Sequence, residues 1–480
     1  TEPITFRGKA ITVKSETGQE ETTIRMSIPA DANRGSVVIF EDNETATSVL
    51  DGFTITGGTG CLRTDPYPPG DRWSGHVGGG ILCWEASPTI VACMITQNRA
   101  DHAAGLLCMQ STAILIDCNI RGNSVEVDVG GVGCWDSSST LLTNCIIADN
   151  TAGGEAGGVS CAYGSSVTMT NCTIVGNTAK TSAGGVGCTL GGSSVIMTDC
   201  IVRANTAVEG LGGGLSCGLD NASITMTGCT IADNKSGEWA GGGVACLHNA
   251  SVSAIHCAIT GNTARDGGGG MLVFDQSSAT VSNCIIARNR SFAFGGGGIW
   301  CGQSSATTVR NSIIWGNTAP QGNEISVRKG STNAASTLTI SYSNVGGGKA
   351  KVNVESGCIL DWGDGNIDAD PRFADPNEDD FHLKSQAGGY DPNTETWVKD
   401  HATSPCIDAG DPMSSLGPEP FPNGGVVNMG AYGGTSEASK SYFGEPVCDT
   451  IVAGDMNGDC VIDVRDFCIM ALHWCEGANH

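Results

Sequence analysis

Oxygen-bearing side chains recur near the end of the chain at the spacing of a calcium-binding loop. Between residues 455 and 466 they occupy loop positions 1, 3, 5, 9 and 12, and a backbone carbonyl is available at position 7. Ca²⁺ binds such loops through carboxylate, amide and carbonyl oxygens. The sequence therefore predicts a structural calcium site whose ligands are Asp455, Asn457, Asp459, Val461, Asp463 and Asp466.

A short amphipathic segment, residues 467–474, follows this loop and is predicted to form a helix. Loop and helix together resemble the dockerin type of EF-hand calcium unit, with three departures. Cys460 stands where Gly would supply a left-handed turn, Asp466 stands where Glu is usual, and one loop is present where dockerins carry two. The first departure should weaken calcium binding, and the third argues against cohesin recognition. The cysteines predicted to staple this small unit are Cys448, Cys460, Cys468 and Cys475.

The longest pattern in the chain is a repeated unit that ends on an asparagine, and successive asparagines are 25 to 29 residues apart. Apolar residues within a unit alternate with period two, as at Val167 and Met169, which indicates strands. A unit of this length is too short for a propeller blade and fits one coil of three short strands. The sequence therefore predicts an all-β solenoid, a parallel β-helix, whose equivalent residues stack about 4.8 Å apart. The asparagine column is Asn98, Asn123, Asn150, Asn177, Asn205, Asn234, Asn262, Asn289 and Asn317.

Three residue types hold fixed places in this unit and are predicted to stack as ladders. Glycine tracts before the first strand permit a tight bend, and the asparagines are predicted to form a ladder of side-chain amides. The cysteines form two columns. The first column is Cys83, Cys108, Cys134, Cys161, Cys188, Cys217, Cys246 and Cys301, with Val273 in one place. The second column is Cys93, Cys118, Cys145, Cys172, Cys200, Cys229, Cys257 and Cys284, with Ser312 in one place.

Three arrangements of the two cysteine columns are compatible with the sequence. Disulfides within each rung leave Cys284 and Cys301 to pair across adjacent rungs. Disulfides from each second-column cysteine to the next rung, beginning with Cys61–Cys83, leave Cys257 free. The third arrangement is a ladder of reduced, inward-facing thiols. A chain with 23 cysteines and no C-x-x-C pair favours disulfides and an oxidising compartment.

The net charge of −25 is concentrated at the C-terminal end, where residues 361–480 carry 22 acids and 5 bases. A concentration of acidic residues at this end favours binding of a hard cation such as Ca²⁺. The chain has no basic stripe, which argues against nucleic acid as a partner. No apolar run approaches the roughly 18 residues that a membrane span needs, so the protein is not expected to cross a membrane.

Four regions follow from these patterns. They are irregular N-terminal rungs in residues 1–77, the regular coil in 78–345, an acidic closing segment in 346–445 and the calcium-loop unit in 446–480. The chain begins within a rung, in a strand pair from Ile4 to Val13, with no capping helix. An open sheet edge there favours head-to-tail assembly, and the alternative is a cap that lies upstream in the precursor. No signal peptide opens the chain, as expected of a mature or trimmed form.

The unit GGG-Φ-x-C…C-x-I-x-G-N-T-A resembles that of the right-handed parallel β-helix repeat proteins of bacterial secretomes. Residues 365–371 and 404–411 look like the C-terminal closing segment of the same group. The resemblance implies a right-handed coil and a secreted protein found outside the cell, at its surface or in a matrix. Function in that group is mostly unassigned, so the resemblance implies no activity.

Acidic residues recur in the loops before the glycines and could suggest a glycosidase. A retaining pair needs carboxyl groups about 5–5.5 Å apart, but any two outward acids on adjacent rungs meet that distance. No column of Lys or Arg accompanies them, so no catalytic residue is predicted. The recurring acids are Asp128, Glu155, Glu209, Glu238 and Asp266.

These patterns together predict a non-enzymatic, extracellular structural or adhesive surface protein that assembles head to tail into fibres. Its expected partner is itself, with polysaccharide or another surface protein as a further partner. Two alternatives remain on the same scaffold. One is a carbohydrate-binding module, and the other is a polysaccharide lyase or hydrolase.

Overall fold

Short strands with alternating inward and outward side chains wind most of the chain into a parallel β-helix. The computed structural model describes residues 1–64, 74–238, 241–330, 333–444, 454–456 and 461–472. Each coil contributes one strand to each of three long parallel sheets, which we call sheets 1, 2 and 3 in the order in which the chain meets them. The predicted all-β parallel coil is therefore confirmed.

Sheets 1 and 2 each have thirteen strands within the described residues. Sheet 1 comprises Ile4–Thr5, Val38–Phe40, Ile81–Trp84, Leu106–Met109, Val132–Trp135, Val159–Ala162, Val186–Thr189, Leu215–Gly218, Val244–Leu247, Met271–Phe274, Ile299–Gly302, Ile325–Arg328 and Asn353–Val354. Sheet 2 comprises Thr12–Lys14, Val49–Asp51, Thr89–Val91, Ile114–Ile116, Ser139–Thr143, Ser166–Thr170, Ser194–Thr198, Ser223–Thr227, Ser251–Ile255, Ser278–Ser282, Ala306–Arg310, Thr337–Ser341 and Ile359–Trp362.

A fourth parallel sheet accompanies sheet 3, and the sequence pattern did not predict it. Sheet 3 comprises Thr23–Arg25, Thr54–Thr56, Met94–Thr96, Asn119–Arg121, Ile146–Ala148, Thr173–Val175, Ile201–Arg203, Thr230–Ala232, Ala258–Thr260, Ile285–Ala287, Ile313–Trp315 and Asn344–Val345. Sheet 4 comprises Arg99–Ala100, Ser124–Val125, Thr151–Ala152, Thr178–Ala179, Thr206–Ala207, Lys235–Ser236, Thr263–Ala264 and Arg290–Ser291. Its two-residue strands directly follow the column asparagines. A strand of two residues is too short to show an alternating pattern of apolar and polar residues.

The remaining elements lie outside the coil. An antiparallel sheet of Arg34–Gly35, Gly60–Thr64 and Ser74–Val77 covers part of the outer face of sheet 1. Two antiparallel pairs, Phe373–Asp375 with Asp380–Leu383 and Gly389–Asp391 with Thr396–Val398, follow the coil. The helices are the 3₁₀ turns Lys349–Lys351 and Pro376–Glu378 and the α-helix Val464–Leu472. No helix in the described parts of the chain has the length and apolar character that crossing a membrane requires.

Equivalent residues of successive units stand directly opposite one another in the sheets. Cys134 pairs in register with Cys161, and Cys161 pairs with Cys188. The glycine tracts lie where this stacking leaves no room. A Cβ on Gly158 would stand 2.6 Å from the carbonyl oxygen of Gly185 in the next coil, and Gly241 has a φ of +75°. Both constraints exclude ordinary side chains at this corner.

The interior of the coil is a stack of buried apolar side chains, mainly Ile, Val, Leu, Met and Cys. All twenty cysteines within the described residues are free thiols, so the disulfide interpretation is wrong for them and the reduced ladder is present. First-column thiols bond toward the following coil, as Cys134 does to the Ser166 carbonyl at 3.5 Å, while Cys145 bonds back to the Leu115 carbonyl at 3.6 Å. The two columns therefore point in opposite directions along the axis.

The pairing that begins with Cys61 fails for a second reason. Cys61 belongs to the antiparallel sheet on the outside of sheet 1, whereas Cys83 faces the interior. The sheet itself separates the two thiols. Burial raises the pKa of Cys301 to about 11, which keeps that thiol protonated. Because the described cysteines are reduced, the cysteine content does not by itself indicate an oxidising compartment.

The predicted asparagine column is a continuous hydrogen-bonded ladder. Each side-chain oxygen accepts the backbone N–H and the Nδ2 of the preceding asparagine, at 2.9–3.0 Å in all eight links. Each Nδ2 also donates to a sheet 3 carbonyl of the preceding coil, as Asn205 does to Ile174 at 2.9 Å. The nine side chains are at most 2% exposed. One buried amide thus ties three coils together.

The acidic segment after the coil, residues 363–444, folds back along the outside of sheet 3, and we call it the returning segment. Phe373, Phe381 and Met429 pack there against Ile285 and Ile313 of the coil. Polar contacts extend the same interface. The side chain of Asn311 accepts the Asp411 N–H at 2.8 Å, and His256 lies 3.2 Å from the Ala431 carbonyl. The segment therefore covers a side of the last coils.

The asparagine ladder predicts that two Asn–Asn hydrogen bonds of nearly equal length differ greatly in their contribution to stability. Asn205→Ala should lower the free energy of unfolding by about 3 kcal/mol, because it leaves the backbone N–H and the Nδ2 of Asn177 buried without an acceptor. Urea unfolding measures this change.

Asn171→Gly is the matched control, since Asn171 bonds Asn144 at 2.9 Å on the exposed surface and has a left-handed φ that glycine tolerates. The control should change stability by less than about 0.5 kcal/mol. Equal losses in the two variants would contradict the role assigned to the ladder.

Candidate functional sites on the coil

The predicted calcium loop is described only in part. Asn457 and Asp459 lie outside the described residues, as do Cys448, Cys460 and Cys475 and the end of the predicted helix. The described acids and cysteines contain no group of three or more that could hold a metal ion. The site must therefore be judged from Asp455, Asp463 and Asp466.

Asp466 closes the described part of this loop. Its carboxylate accepts the N–H of Met456 and the N–H of Asp463, both at 2.7 Å. Asp463 in turn accepts the Arg465 N–H at 2.7 Å at the start of the helix. Asp455 and Asp466 are 4% and 3% exposed. Both are carboxylates, the type of ligand that Ca²⁺ takes, so they fit the predicted loop.

The recurring acids of the coil lie in separate environments. Asp128 contacts His102 at 2.8 Å, and Glu209 lies 3.8 Å from Lys180. Partial desolvation and the charge of Asp128 raise the pKa of Glu155. The charges of Asp128 and Glu155 therefore interact with each other, but the recurring acids do not form a continuous catalytic row.

Two further recurring acids stand apart from that pair. Burial raises the pKa of Asp266, and the neighbouring Arg265 partly offsets it. Glu238 is exposed. Neither acid shares a hydrogen bond with Glu155 within the described residues, so the structure does not bring the five recurring acids together.

Beside Glu155, the outer face of sheet 1 forms a small cavity of about 150 Å³. The cavity also contacts Ser182, Ser216 and His248. Trp135 follows the inward-facing Cys134 and lies on the outer face of sheet 1, where it is buried. It packs edge-on against Tyr163, with ring centroids 6.5 Å apart. This indole is part of the packing on the outer face and does not offer a flat stacking surface to solvent.

One functional side chain of the ladder was missed by sequence reasoning. Glu324 takes the place of a tenth asparagine: its carboxylate accepts the Nδ2 of Asn317 at 2.6 Å, the Asn317 N–H at 3.3 Å and the Gly316 N–H at 2.9 Å. Desolvation raises its pKa to about 7. The end of the asparagine column could have shown that some acceptor was needed, but not which residue supplies it.

Two family models match parts of this chain. The model described as right handed beta helix region matches residues 30–177 and 79–259, and the model described as disaggregatase related matches residues 273–410. The chain is a right-handed parallel β-helix. The first model covers the coils between residues 30 and 259, and the second covers the last coils together with much of the returning segment.

Other comparisons add little about activity. No curated protein matches the chain. Among solved structures, the crystal structure of the pectate lyase Pel9A is similar, with a TM-score of 0.40 and 13% sequence identity over 83% of this β-helix and 88% of that chain. A likeness at this level says nothing about a shared activity.

The buried carboxyl of Glu324 predicts a pH dependence of stability. Between its ordinary pKa of 4.5 and about 7, the folded β-helix holds a proton that the unfolded chain releases. The free energy of unfolding should therefore fall as pH rises through this window, by up to about 3 kcal/mol from this group. Glu324→Gln should flatten that part of the profile, measured by urea unfolding from pH 5 to pH 8.

Two other carboxyls contribute in the same direction and remain in the variant, since burial raises the pKa of Asp408 to about 6 and that of Glu419 to about 8. Glu238→Gln, at an exposed acid of the coil, is the control and should leave the profile unchanged. A Glu324→Gln profile as steep as that of the unaltered protein would show that the ladder ends differently.

Proposed function

We propose that this β-helix is a non-enzymatic extracellular structural rod that associates with itself through the end of the coil. The observation that carries the proposal is the last coil, where the strand Ile359–Trp362 pairs with Thr337–Ser341 on one side only. No other described strand meets its outer edge. An unpaired strand edge is a template for pairing with another chain.

The apolar interior is also incompletely covered at this end. Val354, Cys358, Leu360 and Trp362 pack against the main core but are only partly buried. Their counterparts further inside the coil are buried, and Val195, for example, is 1% exposed. A second copy stacked on this end would extend three sheets and cover the last layer of the core.

The sides of the coil offer less to a partner chain, because many of their polar groups are already bonded along the axis. Asn144 donates to Asp117 at 3.0 Å, and Ser166 donates to Ser139 at 3.0 Å. Surface groups that bond from coil to coil have less need of an outside partner. The end of the coil is therefore the surface that favours association.

The calcium loop supports an extracellular setting. Cys460 in place of the usual glycine and Asp466 in place of the usual glutamate weaken such a site. Sites of the weakest class bind Ca²⁺ in the range of about 0.1–1 mM, which is typical of extracellular modules. In this proposal the bound Ca²⁺ is structural: it neutralises Asp455 and Asp466 and orders the loop before the helix.

A polysaccharide-active enzyme is the second candidate function. It is favoured by the raised pKa of Glu155, to which burial and the charge of Asp128 contribute, because a carboxyl whose pKa is raised is better suited to act as a general acid. Incubation with a panel of plant and bacterial polysaccharides tests this. Release of new chain ends, lost in Glu155→Gln, would favour the enzyme, and no release from any of them would remove it.

End-to-end association predicts rods longer than the coil itself, which measures about 60 Å along its axis. The purified protein should form such rods in negative-stain electron microscopy and sediment as a concentration-dependent oligomer. Leu360→Lys should yield dispersed monomers, because it places a charge on the exposed last layer of the core.

Ile196→Lys is the matched control, since Ile196 is 48% exposed on the side of sheet 2. It should assemble like the unaltered protein. Thermal melting checks that both variants fold. A monomeric unaltered protein, or a Leu360→Lys variant that assembles equally well, would count against the proposal.

The calcium proposal predicts a weak and specific binding isotherm. Calorimetric titration should give a dissociation constant of about 0.1–1 mM for Ca²⁺. Asp466→Asn should abolish the heat of Ca²⁺ binding, because in this proposal Asp466 supplies the last ligand of the loop. Asp364→Asn, at an exposed acid of the returning segment, should bind normally. Binding that survives in Asp466→Asn would place the calcium elsewhere.

A further inference from the structure

A cavity of about 410 Å³ lies between the coil and the returning segment. Trp315 and Arg288 line it from the sheet 3 side of the coil. Arg372 and Lys384 line it from the returning segment, where the Lys384 N–H donates to the Arg372 carbonyl at 3.0 Å. Two parts of the chain that are far apart in sequence therefore bring three cationic side chains to one cavity.

Two other arginines of the coil are paired with acids of the returning segment. Arg203 of the coil pairs with Asp379 of the returning segment at 2.9 Å. Arg310 of the coil is paired with Asp411 of the segment. At Arg288, which lies between these two arginines in the order of the coils, the segment instead presents further positive charge.

These cations have few partners of their own. Within the described residues, Arg288 and Lys384 form no ion pair, and the Arg372 guanidinium donates only to the Thr403 carbonyl, at 2.8 Å. Asp370 is the one acid in the lining, and one of its oxygens accepts the Arg372 backbone N–H at 2.9 Å. Three cations against one acid leave an excess of positive charge, in a chain whose net charge is −25.

Like charges gathered at one place repel each other, so such a cluster is stabilised by a bound anion. Arg and Lys are the side chains that recognise carboxylate and sulfate groups through charged hydrogen bonds. Trp315 adds a second kind of contact. Its indole is partly exposed in the cavity wall, where an aromatic ring can pack against the apolar face of a ligand.

We propose that this cavity binds an acidic sugar. A carboxylate or sulfate group lies among Arg288, Arg372 and Lys384, and the sugar ring packs on Trp315. The anionic group and the ring are both required, because the cations recognise the first and the indole the second. The inference goes beyond the proposed rod and does not depend on its association, since the cavity lies on the side of the coil.

Calorimetric titration of the full chain tests the site with three probes: trigalacturonate, a sulfated dextran oligosaccharide and the same dextran without sulfate. At least one acidic probe should bind, and the neutral dextran should not. Arg288→Gln and Lys384→Gln should each weaken that binding at least about tenfold. Arg265→Gln, which removes the same charge from an exposed position elsewhere on the coil, should leave the binding unchanged.

Trp315→Ala separates the two contacts. It should weaken binding of the acidic saccharide about tenfold. Inorganic sulfate should still displace the bound saccharide from this variant. Binding of trigalacturonate alone assigns the site to carboxylated sugars, and binding of sulfated dextran alone assigns it to sulfated ones. No binding of either acidic probe, equal binding of neutral dextran, or equal losses in Arg288→Gln and Arg265→Gln would overturn the proposal.

Discussion

The buried asparagine ladder is the interaction on which the rest of this β-helix depends. A coil must turn sharply between sheet 3 and sheet 4, and the backbone N–H at that corner is buried in the interior. Each asparagine oxygen accepts this N–H from the preceding coil, and each amide nitrogen donates to two further groups. Without these bonds every corner would bury unsatisfied polar groups, at a cost of about 1–3 kcal/mol for each.

The ladder also fixes the register of the neighbouring columns. With one coil locked above the next, the cysteine side chains have no freedom to slide, and small polarisable thiols fill the narrow interior layer by layer. The glycines that precede the strands of sheet 1 then lie close to a carbonyl oxygen of the next coil. The space left there is too small for a Cβ. Three residue types that look like separate motifs thus have one physical cause.

The sequence predicted most of the features that repeat, with the exception of sheet 4, and missed those that occur once. The spacing of Cys134 and Cys161 was sufficient to predict that they stack. The sequence did not show that the thiols would be free, because pairing depends on the direction of each side chain along the axis. It also did not predict that Phe381 packs on Ile285, since that contact joins distant residues with no periodic signal.

The candidate sites follow the same division. The proposed ligand set of the calcium loop comes from local spacing alone, because such a loop is one continuous segment. The carboxylate of Glu324 and the cluster of Arg288, Arg372 and Lys384 could not, because each depends on how an irregular segment meets the coil. Function in this β-helix is therefore expected where the regular coil is joined by irregular chain.

Native-state hydrogen exchange tests the central claim most directly. If the ladder holds the coils together, the backbone amides of Asn150, Asn177 and Asn205 should exchange only when the whole coil unfolds, as slowly as the amides in the centre of sheet 1. Fast exchange at these asparagines, with the sheets still protected, would show that the corners open on their own and that the ladder does not hold the coil.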